Sequence, residues 1–502
     1  MVVRDGCRRG EAARMSGATM LDRDARPADH AAFLGGSWEQ ADDGRTMAVI
    51  DPADGSTVGT VPYMGATETR RAVEAAHAAF PGWSARSGRD RARIMRRMFD
   101  LIIDRQDELA LLLTREQGKP LGQARGEVVY GASYLEWYAE EAPRIRGDIM
   151  SGAHDDKTIT ILRQPIGTTA AITPWNFPFV SVTRKLAPAL AAGCTQILKP
   201  APTTPLVALA LAGIAQEAGL PDGVFNVLTG DDAAIGGALT ESRDIRLLSF
   251  TGSTAIGKLL YRQCADTVKK LSLELGGHAP FIVFDDADID AAVEGLIACK
   301  LRNMGQVCIA ANRIFVHDRV YDRFADQLVV RVDAMTMGPG VDDLDQGPLA
   351  NRAVFDKVAR HVVDAVEGGA HVLAGGGPDA RGGLFFRPTV LADVADNALL
   401  NCEETFGPVI ALSRFSDEDE VIARANDTPF GLAGYFYSRD HGRVMRVAGA
   451  LECGIIGANI GVVASAAGPF GGIKESGLGR EGALSGLEEF LEQKYLCSPR
   501  RL

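Results

Sequence analysis

The stretch from about residue 165 to 264 limits the fold more than any other part of the chain. TTAAIT reads as an apolar strand, PWNFPF as a turn-rich break and RKLAPALAAG as a helix. CTQILKP is the next strand. An apolar helix follows, then the strand VFNVLTG, then IRLLSFTGSTAIGKLLYRQC (245–264), which is strand, glycine turn and helix in succession. Strands and helices that alternate through short loops build a largely parallel sheet of the nucleotide-binding kind. A second αβ set opens near 276 with HAPFIVFDDADIDAAVEGLIACKL, where Asp288 is placed to cap the following helix, and runs to about 465. Before both sets, residues 90–121 are predicted as one long amphipathic helix region ended by Gly118 and Pro120.

The remaining segments are simpler. GGGPDARGG (375–383) reads as a surface loop. The tail GLEEFLEQKYLCSPRRL is expected to supply an edge strand, and RIRGDIMSGAHDDKTITILRQ (144–164) its partner ribbon. Exposed strand edges are usually covered, so oligomerisation is expected. The first thirty residues lack an apolar core for a secretory signal, and their acidic residues argue against a transit peptide; a disordered tail is expected. The apolar run PLVALALAGIAQEAGL is too short to cross a membrane and reads as a buried helix.

A net charge of −12 with no clustered basic residues disfavours nucleic acid and anionic membranes as partners. The eight cysteines include no C-x-x-C pair, so no metal site is expected, and dispersed thiols fit a cytoplasmic protein.

Several short motifs are weak singly. FTGSTAIG (250–257) turns a strand into a helix whose N-terminus can face a phosphate, but it is also an ordinary glycine turn. LELGGHAP sets Glu274 beside two glycines, where a desolvated carboxylate can act as a base; a surface glutamate is the plainer reading, and His278 reads as structural. TPWNFPF holds Asn176 between prolines, suited to donate to an oxyanion, or simply to make a turn. KLRNMGQVCIAANR places Cys308 six positions after Arg302: a buried structural thiol or a nucleophile.

Together, TPWNFP, ILKP, FTGSTAIG, LELGG, GQVCIAANR, EETFGP and PFGGIKESGLGRE occur in one order over about 300 residues. In this the chain resembles the aldehyde dehydrogenase superfamily from about residue 33 onward, and within it the succinate-semialdehyde group. The resemblance implies an α/β fold with a Rossmann-like cofactor domain (31–144 and 165–272), an α/β catalytic domain (273–466) and a small β-ribbon oligomerisation element (145–164 and 484–502), giving a homodimer or homotetramer. It implies oxidation of an aldehyde to a carboxylate with NADP or NAD. Cys308 is then the nucleophile, with its pKa depressed by nearby dipoles and the cofactor's cationic ring, or its proton taken by Glu274. Asn176 and the Cys308 N–H hold the oxyanion, and Glu274 activates the hydrolytic water.

The same resemblance carries the cofactor contacts. Lys199 and Glu404 meet the riboses, Phe406 the nicotinamide, Gly252 and Ser253 the pyrophosphate. Ile172, Thr173, Trp175 and Leu275 line the approach. Pro202 stands where NAD-preferring members carry a glutamate, which makes NADP or dual use plausible, and Thr203 is placed to help a phosphate. Arg184 and Arg302 match the two arginines that bind the far carboxylate of the substrate; the competing reading pairs each with a local acid. Phe470 lies at the substrate end. The group's serine contact falls at Ala464, with Ser465 one place on, so the grip is weaker or the ligand longer. Ala310 replaces the second cysteine of a redox switch, and no switch is expected. The runner-up substrates are glutarate semialdehyde, 2-oxoglutarate semialdehyde or an uncharged aldehyde. An acyl-transferring relative would lack the glutamate base, and a non-catalytic binding protein would have lost Cys308 or Glu274.

Overall fold

A computed structural model of the chain describes residues 31–151 and 155–500. The expected tail lies outside these residues.

Two large sheets organise the molecule. The first has eight strands in the order Gly477–Leu478, Lys270–Glu274, Ile245–Thr251, Thr168–Ile172, Thr195–Lys199, Phe225–Val227, Ala32–Leu34 and Ser37–Glu39. Its five inner strands, from Lys270–Glu274 to Phe225–Val227, are parallel, and antiparallel strands close both edges. The second has seven strands: His371–Ala374, Thr389–Ala392, Val409–Phe415, Ala311–His317, Ala279–Val283, Ala433–Tyr437 and Ile455–Ala458. All its pairings are parallel except the first. Strands buried on both faces explain the continuous apolar runs of the sequence.

The strand Lys270–Glu274, which the expected boundary at 272/273 would split, lies wholly in the first sheet. The chain also returns to the first sheet late: Gly477 pairs with Glu274 and Leu478 with Leu273. Leu491–Pro499 pairs with Lys157–Pro165 over nine residue pairs, and Asp148–Ser151 adds the third strand of this small sheet. The expectation that 484–502 belongs wholly to the ribbon is corrected. Ala483–Glu488 is helical, and Leu487 is buried in the core of the first unit.

Helix Pro178–Ala192 is buried along its whole length, as its apolar composition requires; proline begins it and left-handed Gly193 ends it. Asp288 caps Ile289–Lys300 through the Ala291 N–H. The long helix expected over 90–121 is two helices, Gly88–Asp104 and Gln106–Gln117, broken at Arg105 (φ −108°, ψ 19°). The apolar period continues across the break, which pattern alone does not detect. The bend lets both halves pack on helix Leu121–Glu141. Gly118 ends the second half with φ 94°, where an added Cβ would sit 2.7 Å from Pro52. No helix among the described residues is long and apolar enough to cross a membrane.

Candidate active site

A cavity of about 300 Å³ lies between the two sheets. The first sheet offers the carboxyl ends of three parallel strands: Pro174–Phe177 after Thr168–Ile172, Gly252 and Ser253 after Ile245–Thr251, and Leu275 and Gly276 after Lys270–Glu274. That is where an open α/β sheet leaves its binding crevice. The second unit supplies Arg302, Cys308, Glu404, Phe406, Ala464 and Phe470.

Cys308 stands in irregular chain between a tight turn and strand Ala311–His317. Asn303 and Met304 are left-handed (φ 50° and 53°) without being glycine, a strained entry held by its surroundings. The Asn303 N–H donates to Gln123 at 2.8 Å and its side-chain amide to the Asn176 carbonyl at 2.9 Å. Gly277 lies against the Cys308 carbonyl, where no Cβ fits.

Cys308 is half-buried, with protein on most sides. Burial pushes its thiol up to about 12, against the pull of Arg184; Glu404 and Glu274 add to the rise and Arg302 opposes it. The protein groups by themselves therefore do not supply the depression expected of nearby dipoles. Among the protein groups desolvation outweighs the two guanidiniums, so the cofactor's cationic ring and removal of the proton by a base are the two expectations that stand.

Glu274 is buried, and neither carboxylate oxygen has a hydrogen-bond partner among the described residues. Burial first and then Glu481 raise its pKa well above the carboxylate range, against Lys185, Arg184 and Arg480. It does not line the cavity. It faces Gly471, where an added Cβ would stand 2.6 Å from Oε1. Asn176 lines the cavity; its amide gives one N–H to the Gln306 carbonyl at 3.0 Å and keeps a second to offer.

The two arginines differ. Arg184 reaches Glu481 at 3.5 Å, donates to the Tyr130 hydroxyl at 3.3 Å and stacks 4.1 Å from the Phe470 ring centre. Arg302 makes no ion pair or side-chain hydrogen bond among the described residues, and Phe177 lies 5.4 Å away; the Nε of each arginine is buried and unpartnered. The local-acid alternative thus holds for Arg184 and fails for Arg302. Ser465 is outside the cavity wall, exposed, with its hydroxyl accepting from the Ala467 N–H. Ala464 lines the wall instead, which corrects the expected serine contact.

Of the residues expected to hold a dinucleotide, Trp175, Gly252, Ser253, Leu275, Glu404 and Phe406 line the cavity. The Trp175 and Phe406 rings meet edge to face at 5.5 Å. Glu404 accepts from the Gly277 N–H at 3.1 Å, and burial lifts it to about 7. Ile172, Thr173, Lys199 and Pro202 stand off the wall, and the Lys199 ammonium is engaged by Asp232. Two buried hydroxyls at strand ends, Thr173 Oγ1 and Thr251 Oγ1, have no partner among the described residues. With the amides that open helix Thr254–Cys264, they form a donor set that fits a phosphate-bearing dinucleotide. His278 is structural: Nε2 meets the Leu400 and Glu403 carbonyls, and burial lowers it to about 3.

Sequence reading missed Glu481 and Lys185, which form a buried ion pair behind Glu274, and Tyr130 and Lys357 on the wall. Glu481 closes the motif PFGGIKESGLGRE, the only signal that could have drawn attention to it.

The profile of the aldehyde dehydrogenase family matches residues 38–496. Glutarate-semialdehyde dehydrogenase of Pseudomonas aeruginosa is 55% identical over 95% of this chain and 99% of its own length. The NADP(+) succinate-semialdehyde dehydrogenase of Escherichia coli is 55% identical over 93% and 97%. A crystal structure of succinate-semialdehyde dehydrogenase from Burkholderia pseudomallei superposes with a TM-score of 0.93 at 54% identity, covering 93% of this chain and 98% of that one.

Proposed function

The chain belongs to the aldehyde dehydrogenase family, and we propose that its aldehyde is a short semialdehyde with a terminal carboxylate, succinate semialdehyde first. It is an NAD(P)-dependent enzyme that oxidises an aldehyde to a carboxylate. The observation that carries the substrate is Arg302. A guanidinium on the cavity wall without an internal counter-ion is costly unless a ligand anion meets it.

In the proposed chemistry Glu274 takes the Cys308 proton, and the sulfur adds to the aldehyde carbon. The free N–H of the Asn176 amide and the Cys308 backbone N–H bind the oxyanion. The nicotinamide, when bound, supplies the hydride acceptor. Cys308 is left in thioester linkage. Glu274 releases the first proton to solvent and then takes one from water as its oxygen adds to the thioester carbonyl; the carbon–sulfur bond breaks, that proton passes to the sulfur, and the acid leaves as its carboxylate, giving its own proton to solvent. The Glu274 carboxylate, off the cavity wall and without a hydrogen bond among the described residues, turns toward Cys308 for both transfers. Glu404, Phe406 and Trp175 orient the nicotinamide end; Gly252, Ser253 and Thr251 face the pyrophosphate. Lys199 and Pro202 set the adenosine end, where the missing glutamate favours NADP as well as NAD.

Glutarate semialdehyde is the second reading, favoured by Ala464, whose small side chain leaves room for one more methylene. Assembly of copies through the ribbon is supported by its exposed Ile149 (78%) and Tyr495 (61%), and a cytoplasmic setting by the free thiols. Sedimentation of the native protein tests the assembly. Initial rates with succinate semialdehyde, glutarate semialdehyde and butanal, each with NAD and NADP, test the substrate. The charged aldehydes should lead butanal by about tenfold or more in kcat/KM, about 1.4 kcal/mol. Parity with butanal sinks the carboxylate assignment.

A further inference from the structure

Asn176 is gripped from behind by two charges that none of these steps uses. Lys119 follows Gly118 at the end of helix Gln106–Gln117, and Glu127 lies on helix Leu121–Glu141. Both side chains are 1% exposed. The Lys119 ammonium bonds one Glu127 oxygen, donates to the Asn176 carbonyl at 2.8 Å and lies 4.1 Å from the centre of the Phe177 ring. The other Glu127 oxygen accepts from the Phe179 N–H at 2.9 Å and the Val180 N–H at 3.3 Å. One ion pair therefore fixes both ends of the corner from 176 to 180. Asn303 adds a second bond to the Asn176 carbonyl, and the Gln306 carbonyl orients the amide. Apolar packing would hold such a turn at less desolvation cost than two buried charges. Directed bonds do what packing does not: they set the orientation of one peptide.

We propose that Lys119 and Glu127 are positioning residues for the Asn176 amide, governing the rate of carbon–sulfur bond formation rather than aldehyde binding. This rests on the reading of Asn176 as an oxyanion donor. Donors act only where they meet the developing charge, and a misplacement of about 1 Å costs on the order of a hundredfold.

The test is the single-turnover rate of reduced-cofactor formation in the full protein, with saturation by aldehyde measured alongside. Four proteins are compared: wild type, Lys119→Gln, Asn176→Ala and the double variant. Lys119→Gln should slow the turnover by about tenfold to a hundredfold, with apparent aldehyde affinity within about threefold. In the Asn176→Ala background the same change should cost less than about twofold, because the group it positions is gone. Equal losses in both backgrounds overturn the proposal, as does weakened binding at an unchanged rate. A near-normal Asn176→Ala enzyme instead overturns the oxyanion reading itself. Should Lys119→Gln not fold, the neutral pair Lys119→Gln/Glu127→Gln takes its place in the same comparison. If that variant also fails to fold, the pair is a folding element and the proposal falls.

Discussion

Arg184 and Arg302 face the same cavity from opposite units, and their surroundings are opposite too. Arg184, on the buried helix of the first unit, is pinned by Glu481, the Tyr130 hydroxyl and the Phe470 ring. Arg302, in the strained turn of the second unit, has an aromatic neighbour and no acid. Residue type is the same; accounting of charge is not. A paired cation is part of the wall and shapes the field around Glu274. An unpaired one is left to a ligand anion in the proposed reading. The pinned wall is pre-organised, and the proposal assigns discrimination to the open one.

The largest way to break this contrast is Arg302→Gln. The kcat/KM for succinate semialdehyde should fall on the order of a hundredfold, as when one partner of a desolvated charge pair is removed, while butanal changes by less than about threefold. Steady-state rates with both aldehydes check it; parallel losses would make Arg302 structural. Next is Glu481→Gln. Its charge raises Glu274, while Lys185 and Arg184 act to lower it. Removing Glu481 deletes the like charge and frees both cations, so the Glu274 pKa falls. As Glu274 must be ionised to act, the acid limb of the kcat profile should move down by about one pH unit. A limb that stays in place would show that another group limits the rate. The smallest effect is expected from Arg184→Lys, which keeps a charge beside Glu481 but loses the fork and the stacking. Denaturant titration should show a loss of about 1 kcal/mol, and selectivity for the charged aldehyde should drop only about threefold.

The alternation of strand and helix was readable, because buried parallel strands and glycine turns leave local marks. So were the Asp288 cap and the cavity places of Cys308 and Asn176. The break at Arg105 was not, since the apolar period runs through it. The pinning of Arg184 was not either: Glu481 stands 297 positions away, and no local pattern encodes a pairing that only the return of the chain creates. Nor was the burial of the Cys308 thiol, for the same reason. Sequence shows which cations are near in order, but desolvation is set by everything that closes around the sulfur. Nothing in the local sequence marks Lys119, and only the fold buries it.

The short strand Gly477–Leu478 completes the neighbourhood of Glu274. Gly477 pairs with Glu274, the Leu275 N–H donates to the Ser476 carbonyl, and Ser476 Oγ donates to the Gly276 carbonyl at 2.6 Å. Glu481 and Gly471 arrive on the same stretch. During synthesis this stretch follows the strand it closes by about 200 positions. Until then the strand Lys270–Glu274 is an open sheet edge and its carboxylate lacks its neighbours. The carboxylate of Glu274 therefore takes on its final surroundings only once a segment about 200 positions further along the chain has docked.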